Sequence, residues 1–114
     1  MLDNDTVRLH HILDAIREAV SFSQGRSGKD LYSDRMLSLA LVRLLEIIGE
    51  AARSISPMCR ATYPEIAWQK MAGMRDRLVH GYFDINIDVV WETVTQDLPP
   101  LVSQLENILS LEKD

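Results

Sequence analysis

Residues 34–55 read DRMLSLALVRLLEIIGEAARSI, and this stretch leaves few architectures open. On a helix of about 3.6 residues per turn, Leu37, Ala40, Leu41, Leu44, Ile48, Ala51 and Ile55 share one face. Met36, Leu39, Val42, Leu45 and Ile47 widen that face well past an ordinary amphipathic stripe. Such a rod must be covered on more than one side, so it belongs at the centre of a helical bundle. Gly49, Ala51 and Ala52 would let one covering helix approach closely. Glu46 and Glu50 lie near this surface, either solvated or available to a cation on a neighbouring helix.

The flanking segments supply the other rods. Leu9, Ile12, Leu13, Ile16 and Val20 recur at helical spacing and predict a first helix over about Asp5 to Ser23. SQGRSGKD then reads as a surface loop, and Ser33 as the cap of the second helix, about Asp34 to Ile55. SPMCRATYP reads as a connection, after which Pro64 precedes a third helix over about Glu65 to His80. GYFDIN is a loop. The fourth helix starts near Asp88 and carries Val90, Trp91, Val94, Leu98, Leu101, Leu105, Ile108 and Leu109. Pro99 and Pro100 must kink or restart it, because proline lacks the amide donor and clashes with the preceding turn. Trp68 and Trp91 read as core anchors. With no strand-period run, the expectation is an all-α, up-and-down four-helix bundle with a kinked C-terminal helix, one domain over residues 1–114.

Composition excludes several classes of function. A net charge of −5 argues against a surface that grips nucleic acid as a whole, so any such site must be local, and the acidic balance suits a protein partner equally well. Arg75 and Arg77 are candidates to supply such a site, helped by Arg8 and Arg17 of the first helix or by Arg26, Lys29 and Arg35 around the first loop. The single Cys59 rules out an internal disulfide and a cysteine metal cage. His10 and His11 are adjacent rather than at ligand spacing, so no metal site is expected. Gly25, Gly28 and Lys29 lack phosphate-loop spacing, and there is no glycine-flanked serine elbow. No apolar run suffices for a membrane span and the start MLDNDTVRLHH lacks a signal pattern, which makes the cytoplasm the default expectation.

The chemistry concentrates in residues 75–82, RDRLVHGY. Helical projection of residues 68–82 places Trp68, Met71, Ala72, Leu78, Val79 and Tyr82 on one face, with Arg75 near its middle. A guanidinium there asks for a carboxylate, an anionic ligand or a water-filled cleft. His80 lies four residues after Asp76 and just ahead of Gly81, a helix-stopping residue. Asp76 and the negative helix end would both favour the protonated ring. Residue types alone leave two accounts open: a snorkelling arginine with a helix-capping histidine, or an acid/base pair suited to phosphate chemistry.

MAGMRDRLVHGYFDINIDVVWETVTQDLPPL, residues 71–101, closely resembles the end of the HEPN domain in HepT-like proteins, whose signature is Arg, four residues, His, any residue, Tyr. Here those are Arg75, His80 and Tyr82, and RLHHILDAIREAV and LEIIGEAARSIS resemble the family's preceding helices. Where the family often has asparagine, this chain has Asp76. The resemblance implies a metal-independent, cofactor-free endoribonuclease with Arg75 and His80 catalytic and Asp76 supporting; Arg77 reads either as an RNA-backbone contact or as an ordinary solvated residue. It implies a homodimer in which both motifs face one cleft, and a toxin of a type VII-like pair. The implied partner is a minimal nucleotidyltransferase antitoxin that uses ATP to attach AMP to Tyr82. RNA is the implied substrate, with neither DNA nor membrane expected. The alternative is a non-catalytic helical adaptor that binds a nucleotidyltransferase.

Overall fold

A computed structural model of the chain describes residues 2–78 and 84–112. In chain order its elements are α1 (Asp3–Ser23), α2 (Gly28–Ser33), α3 (Arg35–Arg53), α4 (Pro57–Thr62), α5 (Trp68–Ala72), α6 (Met74–Leu78), α7 (Ile87–Glu92), a π-helical turn (Thr93–Asp97) and α8 (Leu98–Leu111). The rods are α1, α3, α5 followed by α6, and α7 running through the π turn into α8. α3 packs on α1, α5 and α6, and α1 packs on α8. This is the expected all-α bundle, and no β-strand forms among the described residues. Nor is any described helix long and apolar enough to cross a membrane.

The apolar spacing of each rod becomes its core contribution. Leu9, Ile12 and Ile16 of α1 meet Leu41, Leu45 and Ile48 of α3, Met71, Met74 and Leu78 of α5 and α6, and Leu98 and Leu105 of α8 in one fully buried cluster. Trp68 is buried with them, its indole donating to the Tyr63 carbonyl at 2.9 Å. Trp91 is half-buried and covers Gly28, where a Cβ would come within 3.2 Å of the indole Cδ1. Of the residues that widen the α3 face, Val42 and Leu45 are buried, whereas Met36 and Leu39 remain exposed.

Two segments read as irregular form short helices. In SQGRSGKD the Asp30 carboxylate accepts from the Ser27 amide at 2.7 Å, the reach-back half of a capping box, and this starts α2. Tyr32 then donates to Asp88 at 2.6 Å, fastening α2 to α7. Asp34, rather than Ser33, caps α3 by accepting from the Leu37 amide at 3.1 Å. Arg26 donates to Asp34 at 2.8 Å and holds that carboxyl below the usual carboxylate range. In SPMCRATYP, Ser56 and Pro57 start α4 instead of only ending α3. Ser56 accepts from the Cys59 amide at 3.1 Å while its own hydroxyl and amide donate to Asp5 at 2.6 and 2.9 Å. Asp5 is 1% exposed, so this carboxylate ties the start of α1 to the start of α4 from inside the molecule.

The proline pair acts upstream of itself. Because Pro99 and Pro100 donate no amide hydrogen and crowd the carbonyls four residues back, the helix widens over Thr93–Asp97, with the Leu98 amide donating to the Thr93 carbonyl. The hydroxyls of Thr93 and Thr95 donate to the Val89 and Trp91 carbonyls at 2.7 and 2.8 Å, linking the widened stretch back to α7. α8 then continues with the prolines in its first turn. Its far end is fastened by Tyr63, which donates to Glu112 at 2.6 Å; that hydrogen bond pushes the Tyr63 phenol up to about 12.

Asp5→Ala removes two charge-assisted hydrogen bonds and leaves Ser56 donors unmatched. The expected loss is about 2–4 kcal/mol in urea unfolding. An unchanged midpoint would show that Asp5 does not hold the α1 and α4 starts together.

Candidate active site

The motif begins on α6, and its position is set by the helix behind it. α3 presents Glu46, Gly49 and Arg53 at spacings of three and four residues, one face of a helix. At Gly49 the backbones come so close that a Cβ would lie 3.3 Å from the Met71 carbonyl oxygen, 3.5 Å from that of Ala72 and 3.9 Å from the Arg75 amide. Only a residue without a side chain leaves that contact undisturbed. On one side of it, Arg75 Nε lies 3.5 Å from Glu46 Oε2. On the other, Arg53 Nε donates to the Ala72 carbonyl at 3.1 Å and Arg53 Nη2 to Asp76 at 3.0 Å.

Locally the segment departs from the continuous helix expected over Glu65 to His80. Residues 64–66 turn, with the Ile66 amide donating to the Tyr63 carbonyl at 3.3 Å and the Trp68 amide to the Ile66 carbonyl at 2.9 Å, so helix begins only at Trp68. Gly73 divides α5 from α6. Its amide donates to Gln69 at 3.0 Å and its carbonyl accepts from Arg77 at 3.3 Å, so helical hydrogen bonds run up to the break from both sides.

Of the two candidate carboxylates, Glu46 lies beside Arg75, but Arg75 is not amid the greasy face. The buried line runs through Trp68, Met71, Met74 and Leu78, while the Arg75 side chain is 48% exposed. The unbranched Met74 fills the core position next door, and the guanidinium stays in water, the cheaper arrangement for a permanent cation. Asp76 is bonded to Arg53, while its expected contact with His80 involves a residue outside those described. Arg77 is exposed. His80 and Tyr82 lie outside the described residues, as does Gly81.

Both ion pairs at the motif are exposed, and such pairs contribute about 0–1 kcal/mol each. The Gly49 contact therefore positions the backbone, while the side-chain pairs can change partners at low cost. Two of the other candidate cations are already occupied: Arg17 pairs with Glu106 at 2.6 Å, and Arg26 with Asp30 and Asp34. Among the described residues no group of three His, Cys, Asp or Glu side chains could hold a metal ion. Burial pushes the Cys59 thiol up, away from the range of a reactive thiolate. Arg53 is the site residue that sequence reasoning missed. The available signal was its place on the face of Glu46 and Gly49, four residues beyond the glycine.

A family model described as "Ribonuclease HepT-like" matches residues 12–108, and the chain belongs to that family. A "Putative RNase" of Caldanaerobacter subterraneus is 39% identical over 92% of this chain and 94% of its own length. A "Probable ribonuclease HepT" of Thermococcus cleftensis is 38% identical over 88% of this chain and 91% of its own. A "Putative RNase" of Methanocaldococcus jannaschii is 34% identical over 89% of this chain and 84% of its own. No solved structure matches the chain.

Gly49→Val tests the close approach by its sign. At an ordinary helix position valine would gain a few tenths of a kcal/mol over glycine. Here it presses on the carbonyls of Met71 and Ala72, and the expected result is a loss of about 1–3 kcal/mol in thermal or urea unfolding. A neutral or stabilised variant would mean that α3 and the motif segment are not in backbone contact.

Proposed function

We propose that the chain is a metal-independent endoribonuclease, the toxin of a type VII-like toxin–antitoxin pair. Membership of the HepT-like ribonuclease family carries this reading, and the RNase names of its relatives agree with it. Arg75 supports it physically: a cation held at Nε by Glu46 on the bundle surface, where a phosphate can reach it.

His80 takes the proton of a ribose 2′-hydroxyl, and the freed oxygen attacks the adjacent phosphorus. Arg75 balances the negative charge growing on the phosphorane oxygens. The bond to the 5′-oxygen breaks as that oxygen gains a proton, leaving a 2′,3′-cyclic phosphate and a 5′-hydroxyl. The proton donor is the His80 of a second copy across a two-fold dimer, to which exposed apolar side chains such as Met36 and Leu39 lend surface. Arg77 guides the RNA backbone, and Asp76 has a supporting role at the start of the motif. Because the attacking group is a 2′-hydroxyl, DNA is not a substrate. A minimal nucleotidyltransferase encoded alongside uses ATP to attach AMP to Tyr82, placing an anionic bulky group at the phosphate site and blocking RNA. The pair acts in the cytoplasm, where its RNA is.

The purified protein should cleave RNA in EDTA, and His80→Ala should lose about 100-fold or more in rate with an unchanged circular dichroism spectrum. Incubation with the partner and ATP should stop cleavage and add the mass of AMP at Tyr82. Full cleavage by the His80→Ala variant would discard the catalytic assignment. An inert wild-type protein that causes no growth arrest when expressed alone would favour the adaptor.

A further inference from the structure

Arg53 closes α3 with its guanidinium forked across the start of the motif, Nε on the Ala72 carbonyl at 3.1 Å and Nη2 on the Asp76 carboxylate at 3.0 Å. A planar guanidinium can hold two acceptors at once in fixed directions, which the point charge of a lysine does less well. Asp76 follows Arg75 directly in the chain, and Glu46 already sits 3.5 Å from Arg75 Nε. Glu46 thus lies at the guanidinium of Arg75, while the Asp76 carboxylate is turned to the other side of Gly49, toward Arg53. With Arg53 present, the cations Arg53 and Arg75 balance the carboxylates Glu46 and Asp76. Without it, the Asp76 carboxylate loses its partner one residue from Arg75, and its uncompensated charge lowers the local positive potential that a phosphate meets.

We propose that Arg53 is a positioning residue for RNA: it holds Asp76 off Arg75 and cancels its charge, leaving Arg75 to a phosphodiester of the RNA backbone. The ligand in this inference rests on the ribonuclease reading, whereas the fork itself does not. The pairs are exposed, so the effect is electrostatic and local, and it shrinks as salt rises. Loss of Arg53 weakens RNA binding and raises KM more than it lowers kcat, because the chemical groups themselves are untouched. Removing the Asp76 charge as well restores binding. If Arg53 only braced the fold, deleting its partner too would restore nothing.

A fluorescent 2′-O-methyl oligoribonucleotide keeps the phosphates and lacks the nucleophile, so its anisotropy measures binding apart from cleavage. At low salt, Arg53→Ala should bind it about fivefold more weakly, the ceiling for losing an exposed ion pair. Arg53→Lys should recover part of that loss, and Arg53→Ala combined with Asp76→Asn should bind within about twofold of wild type, a coupling read as in any double-mutant cycle. Circular dichroism and urea unfolding of each variant separate binding loss from unfolding. With the unmodified oligonucleotide, Arg53→Ala should show the same change in KM and a smaller one in kcat. Unchanged binding in Arg53→Ala, or no recovery in the double variant, overturns the inference while leaving cleavage by wild type intact. A wild-type protein that binds but does not cleave fails the nuclease reading alone, since the binding series still judges Arg53. One that binds no RNA overturns both.

Discussion

At Gly49 the backbone of α3 meets the carbonyls of Met71 and Ala72 with no side chain between them, and the placement of Arg75 follows from that contact. Buried side chains set the general separation of helices, and at Gly49 a Cβ would sit 3.3 Å from the Met71 carbonyl oxygen and press the backbones apart by a few tenths of an ångström. The flanking residues exploit the proximity. Glu46 and Arg53, one helical step to either side, reach Arg75 and the Ala72–Asp76 turn because the glycine has brought those groups within range. The core of Met71, Met74 and Leu78 fixes which face of the segment turns inward, and thereby which face carries the arginines outward.

This arrangement divides labour between backbone and side chains. The backbone is held by packing, which has few alternatives in a dense interior. The charged side chains are held by exposed pairs that are cheap to exchange. A site meant to accept a phosphate benefits from both properties. On the proposed reading, its cation would start from a defined place yet give up a carboxylate partner at little cost to a phosphate, and the net charge of −5 would keep nucleic acid to this locality.

Much of the bundle could be read from the chain because its long helices announce themselves by period. The face running from Leu37 to Ile48 required cover on several sides, and α1 and α5 to α6 supply it. Glu46 was legible only as one of two candidate partners, with Glu50, because helical spacing puts both near this surface without choosing between them. The short helices were not legible. α2 and α4 are too brief to show a period, and they exist through local hydrogen bonds, Ser27 with Asp30 and Ser56 with Cys59 and Asp5, that composition alone reads as loop. The exposure of Arg75 was misjudged because a helical projection assigns faces from an ideal, unbroken helix starting at Glu65. The true segment starts at Trp68, breaks at Gly73 and turns Met74 inward. Arg53 escaped notice because an arginine at the end of a helix has an ordinary explanation in the helix dipole, and its two acceptors lie about twenty residues away in sequence.

Hydrogen exchange followed by mass spectrometry tests the central claim most directly, by comparing amides of residues 71–78 with those of residues 41–53. If the glycine contact locks the motif segment to α3, the two stretches should open together, with protection agreeing within about tenfold. Exchange in residues 71–78 that is about a hundredfold faster or more, with α3 still protected, would show the segment opening on its own and would contradict the account.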